Sequence, residues 1–394
     1  MADETKDQVA EFLDKLDVTS ASLRTLVDNI RSKSGPIHVV VSILAGTGKA
    51  EEFYKKHIPK FLAKFDLKQG DDYTTHFTKS ATTVTELAQE VFAIQARSKQ
   101  VFIILLSGDG GIVDLLNGLA ASAHKDGYVP PIVAVLPFGT ANALAHSSRV
   151  ASDETFGLST LCHGSPKQVP IFSVQFSPGA RLVTDEGRRY DELPQTSSIP
   201  IPLLYGGVVC SWGFHAAIVA DSDTAEFRKH GIERFKMAAN EALWPSNGKG
   251  PHEYVGDVYL SRNGKWIKIP REKHSYILAT TVSNLEQKFV ISPASKPMDG
   301  SLRLVHFGPM GADDVMKVMM QAYDGGKHVD EETVGYETID GLWIDFKEDS
   351  DEDDDGQRWR RVCVDGKIIA VEKDGWICVT KDPTTVLELI VPPR

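Results

Sequence analysis

The run Ser107–Gly111 reads Ser-Gly-Asp-Gly-Gly and sits between the apolar stretch Val101–Leu106 and a segment with Ile112, Leu115, Leu116 and Leu119 at helical spacing. Strand, glycine turn and helix together make a phosphate-binding geometry. Glycines let backbone N–H groups approach an anion, and the helix N-terminus adds partial positive charge. Asp109 is the odd member, because a carboxylate inside an anion-binding turn repels phosphate unless it holds a metal or takes a proton from a nucleophile. The turn therefore points to phosphoryl transfer more than to passive binding.

Two further glycine turns follow apolar runs. Ala45–Lys49 (Ala-Gly-Thr-Gly-Lys) comes after Ile37–Leu44, and Leu136–Ala145 (Leu-Pro-Phe-Gly-Thr-Ala-Asn-Ala-Leu-Ala) comes after Ile132–Leu136, with Gly139 in the loop and Thr140 as the expected helix N-cap. Turns that follow the strands of a parallel sheet share its carboxyl edge, where ligands bind. The first turn is not a Walker A loop, since Ile43 and Ala50 stand where that motif needs Gly and Ser or Thr. A dinucleotide fingerprint fails as well, because its third Gly falls on Glu51.

From Pro36 to about Val150 short apolar runs alternate with helical patterns, notably Glu51–Phe65 and a stretch with Leu87, Val91 and Ile94, as βαβ units require. This predicts a doubly wound, mostly parallel sheet over 36–160. Before it, residues 1–35 read as two short amphipathic helices, with Val9, Phe12, Leu13 and Leu16, then Leu23, Leu26, Val27 and Ile30 on their apolar faces. Over 165–394 the runs become short and β-rich, with turn signals at Asn263-Gly264, Asp365-Gly366 and Asp374-Gly375. An antiparallel β-sandwich is expected there, interrupted by one helix from about Thr224 to Leu243. The acidic run near 348–356 fits the opening of a calcium loop at Asp351, Asp353 and Asp355, but Val362 stands where a bidentate Glu belongs. A solvated hairpin loop is the reading.

A chain of 394 residues has room for two cores. Its net charge of -11, without a basic stripe, excludes nucleic acid as a partner. The four cysteines, Cys162, Cys210, Cys363 and Cys378, lack metal-ligand or redox spacing and read as reduced thiols. No secretory signal opens the chain, so a cytoplasmic location is expected. The uncharged stretch Ile199–Ala220 is broken by Pro200, Pro202, Gly206, Gly207 and Gly213, and reads as a buried strand followed by a loop instead of a membrane span.

On these residues the chain resembles the lipid kinases with a diacylglycerol kinase catalytic domain, especially the sphingosine and ceramide kinase branch, over about residues 36 to 390. The blocks that carry the resemblance are Val41–Ala50, Ser107–Ala120, Leu136–Ala145 and Ser211–Phe235, with the landmarks Pro297–Val305 and Val364–Lys367 near the C-terminus. NAD kinases and phosphofructokinases share the Gly-Asp-Gly turn but not the Ser211–Phe235 block. The resemblance implies a nucleotide domain of the NAD kinase and diacylglycerol kinase type, ATP and Mg2+ as cofactors, and Asp109 as the base that deprotonates a lipid hydroxyl. It implies nucleotide contacts from Gly46, Gly48, Lys49, Ser107, Gly108, Gly110, Gly111, Gly139, Thr140, Asn142, Arg228, Arg234, Asp365 and Gly366, and a metal-linked carboxylate at Asp299. Phe214, His215, Ile218 and Val219 would line the lipid pocket. The pattern departs from the family at Ser42-Ile43, where Asn-Pro is usual, at Ala217, where sphingosine and ceramide kinases place an Asp, and at Lys367, where Glu is usual.

The leading expectation is thus an ATP-dependent lipid kinase acting on a sphingolipid or diacylglycerol hydroxyl. Its partners would be the lipid substrate, a transient membrane surface that makes the protein peripheral on intracellular membranes, and a second copy in a homodimer. A catalytically silent nucleotide- or lipid-binding homologue, favoured by Ala217 and Lys367, is the rival reading. A kinase of a small soluble hydroxyl compound is the third, and would need a polar pocket in the second domain.

Overall fold

The structure, a computed structural model, describes residues 8–19, 35–46, 48–195, 201–348 and 355–393. The second N-terminal helix expected near Leu23–Ile30 and the acidic residues Asp351 and Asp353 lie outside the described residues. The chain divides into two compact units, one of residues 1–169 with 384–394 and one of residues 170–383.

In the first unit, β1 (Ile37–Val41), β2 (Tyr73–Phe77), β3 (Phe102–Ser107), β4 (Ile132–Pro137) and β5 (Ser165–Gln168) join a C-terminal strand, Glu388–Val391. The sheet order is β2-β1-β3-β4, then the C-terminal strand, then β5, and all neighbours are parallel except the last pair. Every residue of β1 and β3 is buried, as expected of strands covered on both faces. Helix α1 (Gln8–Lys15) docks Val9 and Leu13 into the core that α2 (Ala50–Ala63) forms over β1, β3 and β4, with Phe53, Ile58, Phe61 and Leu62 facing Val39, Val41, Ile104 and Leu106. On the other face, α3 (Thr83–Leu87) continues through a π-helical turn, Ala88–Phe92, and packs against α4 (Asp109–Ala123). Gly118 makes that approach possible, since a Cβ there would lie 2.4 Å from Ala88 Cβ. Under this layer His38 Nδ1 and His76 Nε2 lie 3.0 Å apart, and His38 Nε2 is 2.8 Å from Gln95 Oε1. Short helices α5 (Ala143–Ser147) and α6 (Leu158–His163) complete the unit.

The sequence boundaries put everything from 165 onward in the β-rich domain, whereas the structure returns both β5 and residues 384–394 to the first unit. The run Val386–Val391 is apolar enough for either sheet, and only its pairing partners distinguish them.

The second unit comprises β6 (Ile171–Phe176), β7 (Arg181–Thr184), β8 (Arg189–Glu192), β9 (Leu203–Gly206), β10 (Val209–Gly213), β11 (Tyr254–Arg262), β12 (Lys265–Lys268), β13 (Lys273–His274), β14 (Tyr276–Thr280), β15 (Leu302–Phe307), β16 (Val334–Ile339), β17 (Gly341–Phe346), β18 (Arg361–Val364), β19 (Lys367–Ala370) and β20 (Trp376–Asp382). They form two antiparallel sheets, β16-β15-β14-β10-β18-β19-β7-β8 and β12-β11-β17-β20-β6-β9, with β13 beside β11. Their inner faces enclose one core around Trp212, Phe172, Phe176, Ile277, Ile344 and Phe346. Trp212 keeps its indole N–H satisfied by donating to Trp359 O at 2.9 Å.

Three expectations are corrected here. The single helix over Thr224–Leu243 is instead two, α8 (Ala225–Arg228) and α9 (Glu233–Leu243), with Gly231 at φ +56° in the break, and a further helix, α7 (Phe214–Asp221), precedes them. The stretch read as a strand and a loop contains β9, β10 and most of α7. A helix absent from the sequence reading, α10 (Ala312–Ala322), buries Val315 and Val318. Among the described residues no helix is long and apolar enough to cross a membrane.

Candidate active site

The register of the parallel strands sets the geometry of the first unit's carboxyl edge. Val41 pairs with Leu106 and Ser107 with Pro137, so the three glycine turns leave the sheet side by side. The first is tied down by Ser42 N–H donating to Leu106 O and by Ile43 N–H donating to Thr78 Oγ1. Gly46, at φ +54°, lies against the third turn, where a Cβ would come within 2.3 Å of Phe138 O. Gly108 and Gly139 meet back to back, and a Cβ on Gly139 would sit 2.4 Å from Gly108 Cα. Only two glycines fit that contact. Gly110, by contrast, is exposed with open space where its side chain would be, while a Cβ on Gly111 would strike Ser107 Oγ at 2.5 Å. Gly48 has φ +74°, and Lys49, exposed, precedes the first residue of α2.

Asp109 opens α4, and its carboxylate reaches the next turn. Oδ2 accepts from Ala143 N–H at 2.7 Å and Oδ1 from Leu144 N–H at 3.0 Å, so it caps α5 from outside. Burial pushes this carboxyl above the usual carboxylate range, and the two backbone donors pull it partly back. The expected N-cap, Thr140, is exposed and stands outside the helix start. Asn142 occupies that position in the left-handed region (φ +55°), which Asn tolerates better than most residues. Its amide closes the loop, accepting from Gly139 N–H and donating to Gly139 O, both at 2.9 Å. Asn142 is therefore seen in a loop-closing role. Thr78 went unnoticed in the sequence because a lone Thr at a strand end carries no signal.

In the second unit the expected residues fall into separate places. Arg228 makes a two-pronged contact with Asp223, Nε to Oδ1 and Nη2 to Oδ2 at 2.9 Å each, and Arg234 Nη1 reaches the same carboxylate at 3.4 Å. One carboxylate thus gathers both cations, and burial lowers the Arg234 pKa. Phe214 is a buried residue at the start of α7, while His215, Ile218 and Val219 are half-buried on that helix. His215 Nδ1 lies 2.7 Å from Ser211 Oγ, and burial brings its pKa down to about 4, so the ring is neutral. Asp299 accepts from Lys296 N–H, Ser301 N–H and Arg303 Nη1, which closes its own turn. Asp365 accepts from three successive donors, Gly207, Val208 and Val209 N–H, at 2.6, 3.0 and 2.6 Å, with Gly366 in the adjoining hairpin turn. Among the described residues no three His, Cys, Asp or Glu side chains group as a metal site.

Residues 36–174 match the profile of the diacylglycerol kinase catalytic domain. Human sphingosine kinase 1 is 20% identical over 329 residues, covering 75% of this chain and 77% of that protein. The crystal structure of a diacylglycerol kinase from Bacillus anthracis str. Sterne superposes with a TM-score of 0.54 at 15% identity, over 91% of this chain and 97% of that one. Two further structures from the same organism give 0.57 and 0.58 at 16% identity. The fold is therefore that of the diacylglycerol kinases, and residues 36–174, which carry all three glycine turns and Asp109, are similar to the diacylglycerol kinase catalytic domain.

Proposed function

We propose that the protein transfers the γ-phosphate of ATP to a lipid hydroxyl. The observation that supports this most is the contact of the Gly108 and Gly139 backbones beside Asp109, at the edge of the sheet where two helices begin. Backbone N–H groups and helix N-termini there suit a polyphosphate. Asp109 would serve as base: each carboxylate oxygen accepts one backbone N–H and keeps a further lone pair for a substrate hydroxyl. A carboxyl raised by burial is also a stronger base than an exposed one. Lys49, and Arg228 and Arg234 on release from Asp223, would supply charge to the phosphates. The names of the relatives, diacylglycerol kinase and sphingosine kinase 1, support a lipid acceptor.

The donor set does not make a Mg2+ cage, because the Asp299 carboxylate is engaged by its own turn and by Arg303. Mg2+ fits only as an ion brought with the nucleotide phosphates, and no step here is routed through it. Asp365 spends its carboxylate on three backbone N–H groups, which favours a structural role over nucleotide contact.

The test is transfer of labelled phosphate from ATP to a panel of diacylglycerol, monoacylglycerol, ceramide and sphingosine. Ala217 removes the carboxylate that would pair with a sphingoid ammonium, so sphingosine is expected to be the poorest acceptor. Turnover of sphingosine well above the other three would overturn that. A second reading, a catalytically silent homologue, is favoured by the capping bonds of Asp109 together with Ala217 and Lys367. ATP binding without transfer to any of the four lipids would establish it.

A further inference from the structure

Asn142 joins two parts of the site through different atoms. Its side chain belongs to the third glycine turn, where Oδ1 accepts from Gly139 N–H and Nδ2 donates to Gly139 O, both at 2.9 Å. Its backbone belongs to α5, since its carbonyl accepts from His146 N–H at 2.9 Å. The next two N–H groups along the chain, those of Ala143 and Leu144, are the ones that bind Asp109. The amide thus closes the loop 139–142, and the peptide link that follows Asn142 carries a donor to the Asp109 carboxylate.

The surroundings make that closure specific. A Cβ on Gly139 would lie 2.7 Å from Asn142 Oδ1, and one on Gly108 3.4 Å from the same atom, so the amide fills the niche beside the contact of the two glycines. Asn142 has φ +55° and ψ +44°, and the direction of Ala143 N–H follows from that ψ. Asn tolerates the left-handed region, and its carboxamide offers an acceptor and a donor on separate atoms, one for each end of the Gly139 backbone. Gly would allow the same φ without fixing it.

What the two N–H groups do to Asp109 follows from charge. One donor on each oxygen favours carboxylate over carboxylic acid, against burial, which favours the acid. The charged or titratable side chains on the neighbouring elements are Asp114 on α4, His146 on α5 and Lys49 before α2. None of them is among the causes that shift the Asp109 carboxyl, which are burial and the two donors. Whatever holds those donors in place therefore governs the charge on Asp109.

We propose that Asn142 is a positioning residue for Asp109: through its amide bridge to Gly139 it aims the Ala143 and Leu144 N–H groups at the Asp109 carboxylate. The assignment deepens the reading of Asp109 as base, and its consequence for turnover rests on that reading. It is tested by titrating Asp109 in the full chain through its carboxyl 13C resonance, identified by its loss in Asp109→Asn. Asn142→Gly allows the left-handed backbone and removes the amide, so the midpoint should move up by about one pH unit as hydrogen bonds to the charged form weaken. A midpoint equal to the parent's overturns the proposal even where the melting temperature falls, because a merely structural amide lowers stability without moving the titration. Thr140→Ala, exposed in the same loop, should leave the midpoint in place, and a shift as large as that of Asn142→Gly overturns the proposal too. Where Asn142→Gly fails to fold, amide hydrogen exchange of the parent decides. Gly139, Ala143 and Leu144 N–H should then open together, and protection that persists at Ala143 and Leu144 while Gly139 exchanges freely overturns the linkage. Turnover separates the two readings: a shifted midpoint with Asp109→Asn fully active removes the base and keeps the positioning role, and an unshifted midpoint with Asp109→Asn inactive does the reverse.

Discussion

Asp109 and Asp365 both precede a glycine and both turn their carboxylates onto backbone N–H groups, yet they sit in different surroundings. Asp109 accepts two N–H groups from the start of α5, beside Gly110, whose side-chain position faces open space. Asp365 is held by three successive donors of one loop, whose own carbonyls are bound in turn by Thr280 and Thr281 hydroxyls. The first carboxylate retains unused acceptor capacity where a ligand can reach; the second is absorbed by the loop it closes. An Asp-Gly pair alone does not distinguish the two situations, and the number and origin of the donors does.

The contrast is broken most directly at Asp109. Asp109→Asn is expected to lower phosphate transfer by roughly 10²- to 10⁴-fold with ATP binding retained, because Asn keeps hydrogen-bonding capacity but cannot accept the hydroxyl proton. Rates per folded molecule, taken alongside the melting temperature, separate this from a capping role. Equal turnover of variant and parent would leave Asp109 as a cap only. Asp365→Ala should instead cost about 3 kcal/mol of stability in urea unfolding, since three buried donors lose a charged acceptor. Turnover per folded molecule should be unaffected.

The enclosed polar groups of the second unit also predict a response to pH. Arg271 donates through Nε to His274 Nδ1 at 3.3 Å and lies within hydrogen-bond reach of His306 Nδ1, next to Arg262 and Glu337. Burial, and then the Arg271 charge, bring His274 down to about 4 and His306 down to about 3. Both bind protons more weakly folded than unfolded, so their contribution is complete above the ordinary histidine value of 6.5 and is lost as pH falls from there toward the folded values. The expected loss is about 2 kcal/mol per histidine by pH 5, read from urea midpoints at neutral and acid pH. An unchanged midpoint would show that these rings protonate without cost. The smallest effect belongs to Thr140→Ala, which should shift stability by less than about 0.5 kcal/mol because the exposed hydroxyl caps nothing. A loss near that of a removed N-cap would restore the sequence-based assignment.

What could be read from the sequence follows the range of the interactions involved. The three glycine turns were legible because each depends on a local succession of apolar run, glycine and helical period. The assignment of Thr140 as N-cap failed because a carboxylate more than thirty positions earlier took the donors, and Asn142 took the left-handed position. Arg228 and Arg234 were legible as cations, whereas their common hold on Asp223 depends on how α8 and α9 turn around Gly231. His215 gave no hint of its partner, since Ser211 lies across the β10–α7 junction at Gly213.

The strand Glu388–Val391 lies between β4 and β5 in the first sheet, pairing in parallel with Ile132 and Val133. On the ribosome, β4 and its glycine turn emerge long before that partner exists. Until residues 388–391 are made, β4 keeps an unpaired edge, and the whole β-rich unit is synthesised in the interval. At elongation rates of about 5–20 residues per second the wait lasts on the order of ten seconds or more. The first unit's sheet therefore cannot close until the whole of the second unit has been synthesised.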